Sequence, residues 1–167
     1  MRRLFAAVTA FAMLAPAVAF ASEEAFLKSI EGRWTGGGIV LQKLGGPKVN
    51  VSCNMQSMAS AQSYSMDGSC RALVVVTRSF NARVKASGTS YAGTYVGVSG
   101  KPSTLRGSRS GNTINLDVTW ANEIYGDRKA TMTIQKVGEN GLRIRTIDKD
   151  PSSGKSVVTT QLDLKRS

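Results

Sequence analysis

Alternation constrains this chain more than any other feature. From Gly32 onward the pattern is one of alternation: Ile114, Leu116, Val118 and Trp120 stand against Asn115, Asp117 and Thr119, and Phe80, Ala82 and Val84 against Asn81, Arg83 and Lys85. A period of two is that of a strand with one face buried. Ala130, Met132 and Ile134 continue the apolar set, as do Leu142 and Ile144 opposite Arg143 and Arg145. Turn signals recur at Gly45-Gly46-Pro47, Ser87-Gly88-Thr89, Ser99-Gly100-Lys101-Pro102, Ser110-Gly111-Asn112, Gly138-Glu139-Asn140-Gly141 and Asp150-Pro151-Ser152-Ser153-Gly154. Each supplies the positive or fixed φ that a reversing chain needs.

Strands are predicted near Arg33–Leu44, Lys48–Met58, Tyr64–Thr77, Phe80–Ala86, Ser90–Val98, Ser103–Arg109, Thr113–Trp120, Arg128–Lys136, Leu142–Asp148 and Ser156–Lys165. The join at Arg78-Ser79 lacks a turn signal, so a long strand with a bulge or corner is expected there. Short connections favour an up-and-down meander, and closing it removes the exposed edges. The expected fold is all-β: an antiparallel up-and-down β-barrel of about nine or ten strands with a short N-terminal helix. Ser22 to Glu31 supplies that helix, with Ser22 as N-cap, Glu23 and Glu24 in its first turn, and Phe26, Leu27 and Ile30 on one side. It serves as a plug or lid.

Residues 1–21 have the three parts of a secretory signal: Arg2 and Arg3, an apolar run from Leu4 to Ala15, and small residues up to Ala19-Phe20-Ala21. The run is short for a membrane span and Pro16 interrupts it. Residues 22–167 are then one exported barrel domain, periplasmic or secreted, with no transmembrane segment after cleavage. In an oxidising compartment the two cysteines, Cys53 and Cys70, read as a structural disulfide. Pairing their strands with Cys53 opposite Cys70 sets Val51 against Ala72, Val49 against Val74 and Met55 against Gly68. Both cysteines then share the apolar phase, and directly opposed positions lie within bridging reach.

Charge is unevenly spread. Without Arg2 and Arg3, the 22 basic residues fall to 20 against 11 acidic ones, a net charge of +9. The excess lies between Gly32 and Asn115, where Arg33, Lys43, Lys48, Arg71, Arg78, Arg83, Lys85, Lys101, Arg106 and Arg109 face a single acid, Asp67. An anionic neighbour follows: a lipid headgroup, lipopolysaccharide or an acidic polymer, unless the cations only keep the barrel soluble. Nucleic acid is disfavoured by export and by the lack of a binding motif.

Histidine is absent from the chain, which removes the commonest general base and metal ligand and the ordinary catalytic triad. No catalytic residue, metal or cofactor is expected. Asp148 and Asp150, near Pro151, read as turn chemistry or a solvated loop. Gly100-Lys101 and Gly154-Lys155-Ser156 fail as phosphate loops, the first running into Pro102 and the second lacking its leading glycine. Tyr91 and Tyr95 share a face with Gly93 and Gly97, a pattern of core packing or of a flat ligand platform. Met55, Met58, Met66 and Met132 suit either a core or a cavity for a lipid-like ligand.

Gly32-Arg33-Trp34, between a short helix and a β meander, resembles the start of calycin-group barrels, that is lipocalins, avidin-like proteins and small bacterial barrel-type protease inhibitors. The resemblance implies that Trp34 closes one barrel end and that a late basic residue, Lys165 or Arg166, packs over it. The adjacent Gly36-Gly37-Gly38 is expected to let the first strand bend. Two functions are consistent with these features. One is a non-catalytic binding protein holding a small apolar or amphiphilic ligand or contacting an anionic envelope component, with Arg71, Arg78, Arg83, Lys85, Tyr91, Tyr95, Arg106 and Arg109 as contacts. The other is an envelope interaction protein, such as a protease or hydrolase inhibitor, acting through barrel loops.

Overall fold

The computed structural model describes residues 18–167 apart from Val74, with side chains from Glu23 onward. The secretory signal read in residues 1–21 lies almost wholly outside the described residues. One helix, α1 (Val18–Ser29), precedes ten strands: β1 (Gly32–Leu41), β2 (Lys48–Ser60), β3 (Ser63–Ala72), β4 (Val76–Ser87), β5 (Ser90–Val96), β6 (Pro102–Ser110), β7 (Thr113–Ile124), β8 (Asp127–Val137), β9 (Gly141–Lys149) and β10 (Ser156–Arg166). Every strand pairs antiparallel with its sequence neighbours, and β1 closes on β10. The sheet therefore has no open edge.

Inward rows are apolar and outward rows polar, as the alternation requires. Ile114, Leu116, Val118 and Trp120 are buried on β7, as are Leu142 and Ile144 on β9 and Leu162 and Leu164 on β10. This is the inverse of a barrel that crosses a membrane, whose apolar face points outward. Among the described residues no helix is long and apolar enough to cross a membrane.

Cys53 and Cys70 are disulfide-bonded, with Cα atoms 4.1 Å apart. The predicted register is present: Val51 opposes Ala72 and Met55 opposes Gly68. The Val49–Val74 pair lies outside the described residues at Val74.

Local expectations needed correction in two places. The turn between β3 and β4 falls at Leu73–Val75, not near Arg78-Ser79, and Arg78 and Ser79 lie in unbroken pairing with Cys70 and Ser69. Leu73 makes the reversal at φ 48°, and the Val75 N–H donates to its carbonyl at 2.7 Å. Leu73 and Val75, both apolar, lie in the turn, which no turn-residue rule anticipates. Second, α1 already runs from Val18, so Ser22 lies inside it and Glu23 and Glu24 fall beyond the first turn. Gly36-Gly37-Gly38 pairs without a break on both sides. A Cβ at Gly36 or Gly38 would fall on the β10 backbone, and one at Gly37 on the carbonyl of Val51. These glycines allow close strand approach, with no interruption of β1.

The two barrel ends differ. At the first, α1 and the residue that follows it close the opening, with Leu27 and Ile30 buried in the same core cluster as Trp34. The last carbonyls of that segment are satisfied by the barrel: Ser57 Oγ donates to Ile30 O at 2.7 Å, and Arg166 Nη2 to Ser29 O at 2.8 Å. Arg166 also donates to Glu31 O and stacks over Trp34, whose indole N–H reaches Ser57 Oγ at 3.0 Å. Gly32 holds φ 135°, a backbone conformation that L side chains rarely adopt, and a Cβ there would also displace the Arg166 guanidinium. Nearer the helix start, Glu23 is buried in an ion pair with Arg109 at 2.7 Å and accepts from the Tyr91 hydroxyl. Arg109 also lies 4.7 Å over the Phe26 ring.

Candidate functional site: the barrel mouth opposite the helix

The opposite end carries the β1–β2, β3–β4, β5–β6, β7–β8 and β9–β10 turns, and it is partly covered. Tyr125, at φ 57° in the β7–β8 turn, points its hydroxyl at the carbonyl of Leu41 at the end of β1. The side chain thereby straps across the ends of β9 and β10, which lie between β8 and β1. Gly126 in the same turn lies against Pro151 of the β9–β10 loop, since a Cβ added there would meet the proline ring at 3.0 Å.

Beneath this strap is a buried polar cluster. Asp148 is 2% exposed, on the inward row that Leu142, Ile144 and Thr146 begin. A β-bulge between Val158 and Thr160 turns Thr159 inward, and its hydroxyl donates to Asp148 Oδ2. Burial pushes the Asp148 carboxyl above its ordinary range, while Thr159 and the Trp120 indole oppose the shift and Asp127 adds to it. The indole is close enough to favour the charged carboxylate, yet neither Trp120 Nε1 nor Asp148 Oδ1 completes a direct hydrogen bond. Two buried polar atoms without partners, one donor and one acceptor, are an uncommon arrangement in a folded interior.

The β2–β5 half of the mouth has no such cover. Val51, Cys70, Phe80, Ala82 and Tyr95 point inward by register, yet stay half-buried where the matching rows of β7 and β9 are buried. Phe80 stacks on Tyr95 at 6.4 Å, and Tyr95 meets Trp120 edge-on at 5.9 Å. An aromatic row therefore runs from the open wall to the buried polar cluster. Arg78, opposite Cys70, shares the inward phase and is exposed at the entrance.

The residues singled out from sequence occupy different places. Tyr95 and Arg78 line the mouth. Tyr91 and Arg109 lie at the plugged end, engaged with Glu23. Arg83 is on the outer wall, 3.5 Å from Asp67, and Lys85 shares its outward phase. Arg106 is outward on β6, opposite Asp117, and Arg71 is outward near the β3–β4 turn. The basic residues thus do not share one face. Trp34 and Arg166 stand together at the plug.

Asp148 belongs to the interior, not to a solvated loop. Asp150 alone does turn chemistry, accepting from Ser152 and Ser153, which hold its carboxyl below the usual range. The signal for Asp148 was present in the phase of Leu142, Ile144 and Thr146. Nothing in the sequence indicated Tyr125 as a strap.

No family model and no curated protein matches this chain. Among solved structures, the crystal structure of Rv2717c from M. tuberculosis is similar over 93% of this chain and 99% of that one, with a TM-score of 0.66 and 14% identity. At that identity the likeness is one of fold.

Proposed function

We propose that this protein is a non-catalytic exported binding protein, periplasmic or secreted, that takes a small amphiphilic ligand into the barrel mouth opposite α1. The observation that carries this reading is the asymmetry of the ends: one is sealed by α1, while inward apolar side chains of β2–β5 remain accessible at the other. Ligand sites are concave and mostly apolar, with a few convergent polar groups. Phe80, Ala82 and Tyr95 provide the apolar wall. Trp120 Nε1 and Asp148 Oδ1 provide the polar pair, a donor beside an acceptor, which matches a hydroxyl group able to accept from one and donate to the other. Arg78 at the entrance suits an anionic group on the same ligand.

Native mass spectrometry of the protein taken from its own cells tests this reading. A bound species with an apolar body and a hydroxyl is the expected result. Protein of bare chain mass, together with no uptake of added long-chain alcohols, contradicts it. The calycin resemblance at Gly32-Arg33-Trp34 is consistent with a binding barrel, and the plug it implied agrees with the placement of Trp34 beneath Arg166.

A further inference from the structure

Four aliphatic side chains lie exposed on two adjacent hairpins of the open end. Leu73 is 70% exposed and Val75 83%, at the β3–β4 turn, with Val76 beside them; Val98, on the β5–β6 turn, is 75% exposed. Exposed single aliphatics are ordinary, but here they sit at turn tips, where polar residues and glycine are the rule. Leu73 holds a positive φ, a conformation unfavourable to a bulky side chain, and the fold draws no buried contact from it in return.

The charge around these tips has one sign. Arg71 and Arg78 flank the β3–β4 turn, Lys101 follows Val98, and Lys43 and Lys48 lie on the neighbouring β1–β2 hairpin; all five are exposed. No acidic residue occurs in the stretches 41–53, 70–80 and 96–104 that form this arc. The other two hairpins of the same end carry Glu123, Asp127 and Asp150 among their cations, and their one exposed large aliphatic side chain is Val158, 37% exposed on β10, with none at a turn tip. The rim is thus divided into an apolar, purely cationic arc over β1–β6 and a mixed-charge arc over β7–β10.

We propose that the β1–β6 arc docks on an anionic phospholipid surface, inserting Leu73, Val75 and Val98 at the headgroup boundary while Arg71, Arg78 and Lys101 contact the phosphates. Apolar insertion combined with nearby cations is the physical requirement for reversible interfacial binding. A protein partner would complement the aliphatics equally well, but a cationic arc without a single acid favours a uniformly anionic surface. The arc stands above the open β2–β5 wall, so docking turns the mouth toward the lipid. The surface itself does not depend on the mouth holding a ligand.

Vesicle flotation with the processed protein from its own cells tests the proposal, using phosphatidylcholine vesicles with and without phosphatidylglycerol. Binding to the anionic vesicles alone, weakened by salt, is expected. The triple variant Leu73→Asn, Val75→Ser, Val98→Ser, carrying the same N-terminus, is expected to lose roughly tenfold or more in vesicle affinity. Arg71→Gln, Arg78→Gln, Lys101→Gln together are expected to lose on the order of a hundredfold. Unchanged circular dichroism and thermal unfolding separate these losses from misfolding. Equal binding to both vesicle types, full binding by the variants, or no vesicle binding at all overturns the proposal, including the case in which the tips prove to recognise a protein. Uptake of a soluble long-chain alcohol by the tip variant reports on the mouth separately.

Discussion

The hydroxyl of Tyr125 meets the carbonyl of Leu41 across the mouth of the barrel, over the buried carboxyl of Asp148. This contact covers the side of the mouth at β9 and β10, away from the β2–β5 wall. It also accounts for the environment of Asp148, whose raised proton affinity comes first from burial. Tyr125→Gly accepts the positive φ at this position while removing the strap. Faster ligand exchange is the expected outcome, with stability lowered by about 1 to 3 kcal/mol for the lost packing and hydrogen bond. Stopped-flow release of a long-chain alcohol, together with urea unfolding, provides the check.

Asp148 gives a pH signature whose sign follows from its environment. Its folded carboxyl binds a proton more readily than the unfolded one, so between the unfolded value of about 3.9 and the folded value the native state holds more protons. Stability contributed by this group is therefore present at low pH and lost as pH climbs through that window. Asp148→Asn removes the loss and keeps an acceptor for Thr159. The expected result is a flatter stability profile on the alkaline side of pH 4 or so, measured by urea midpoints across pH.

At the plugged end, Arg166 joins the Trp34 ring to the end of α1. Arg166→Ala removes a cation–π contact and charged hydrogen bonds to two helix-end carbonyls, for an expected loss of about 2 to 4 kcal/mol. Trp34→Ala is expected to cost about 3 to 5 kcal/mol through lost buried volume. Equilibrium urea unfolding measures both. Changes within error at both sites contradict the plug.

Denatured, unreduced protein is expected to show no reactive thiol, because Cys53 and Cys70 are bonded to each other. Reduction opens a loop spanning a sequence separation of 17 residues and lowers stability by about 3 kcal/mol on the loop-closure estimate. Thiol titration before and after reduction, with paired unfolding curves, tests both statements.

Features set by short-range physics were legible in the sequence. Alternation identified the inward rows, and the shared apolar phase of Cys53 and Cys70 fixed the register of β2 on β3, which the structure reproduces residue by residue as far as Val51 and Ala72. The β3–β4 turn was not legible, because the run Ala72 to Val76 has strand propensity and only tertiary context makes the chain reverse at Leu73 and Val75. The division of the cations was hidden for a different reason. Arg78 and Arg109 share the inward phase and Arg71 and Arg83 the outward one, so one run of like charge is spread over a mouth, a plug and an outer wall. At Asp148 the phase of the strand prevails over proximity to the Pro151 turn, because Leu142, Ile144 and Thr146 set the inward row to which it belongs.

The open mouth is the central claim, and dodecanol titration followed by tryptophan emission tests it most directly. Trp120 adjoins the proposed site and Trp34, the other tryptophan of the chain, is sealed in the plug, so the signal reports on the mouth. Saturable binding is predicted for the protein as isolated, with loss of binding in Ala82→Phe, whose ring fills the wall between Met66 and Tyr95, at unchanged thermal unfolding. No saturable change, or equal binding by the folded Ala82→Phe variant, would contradict it.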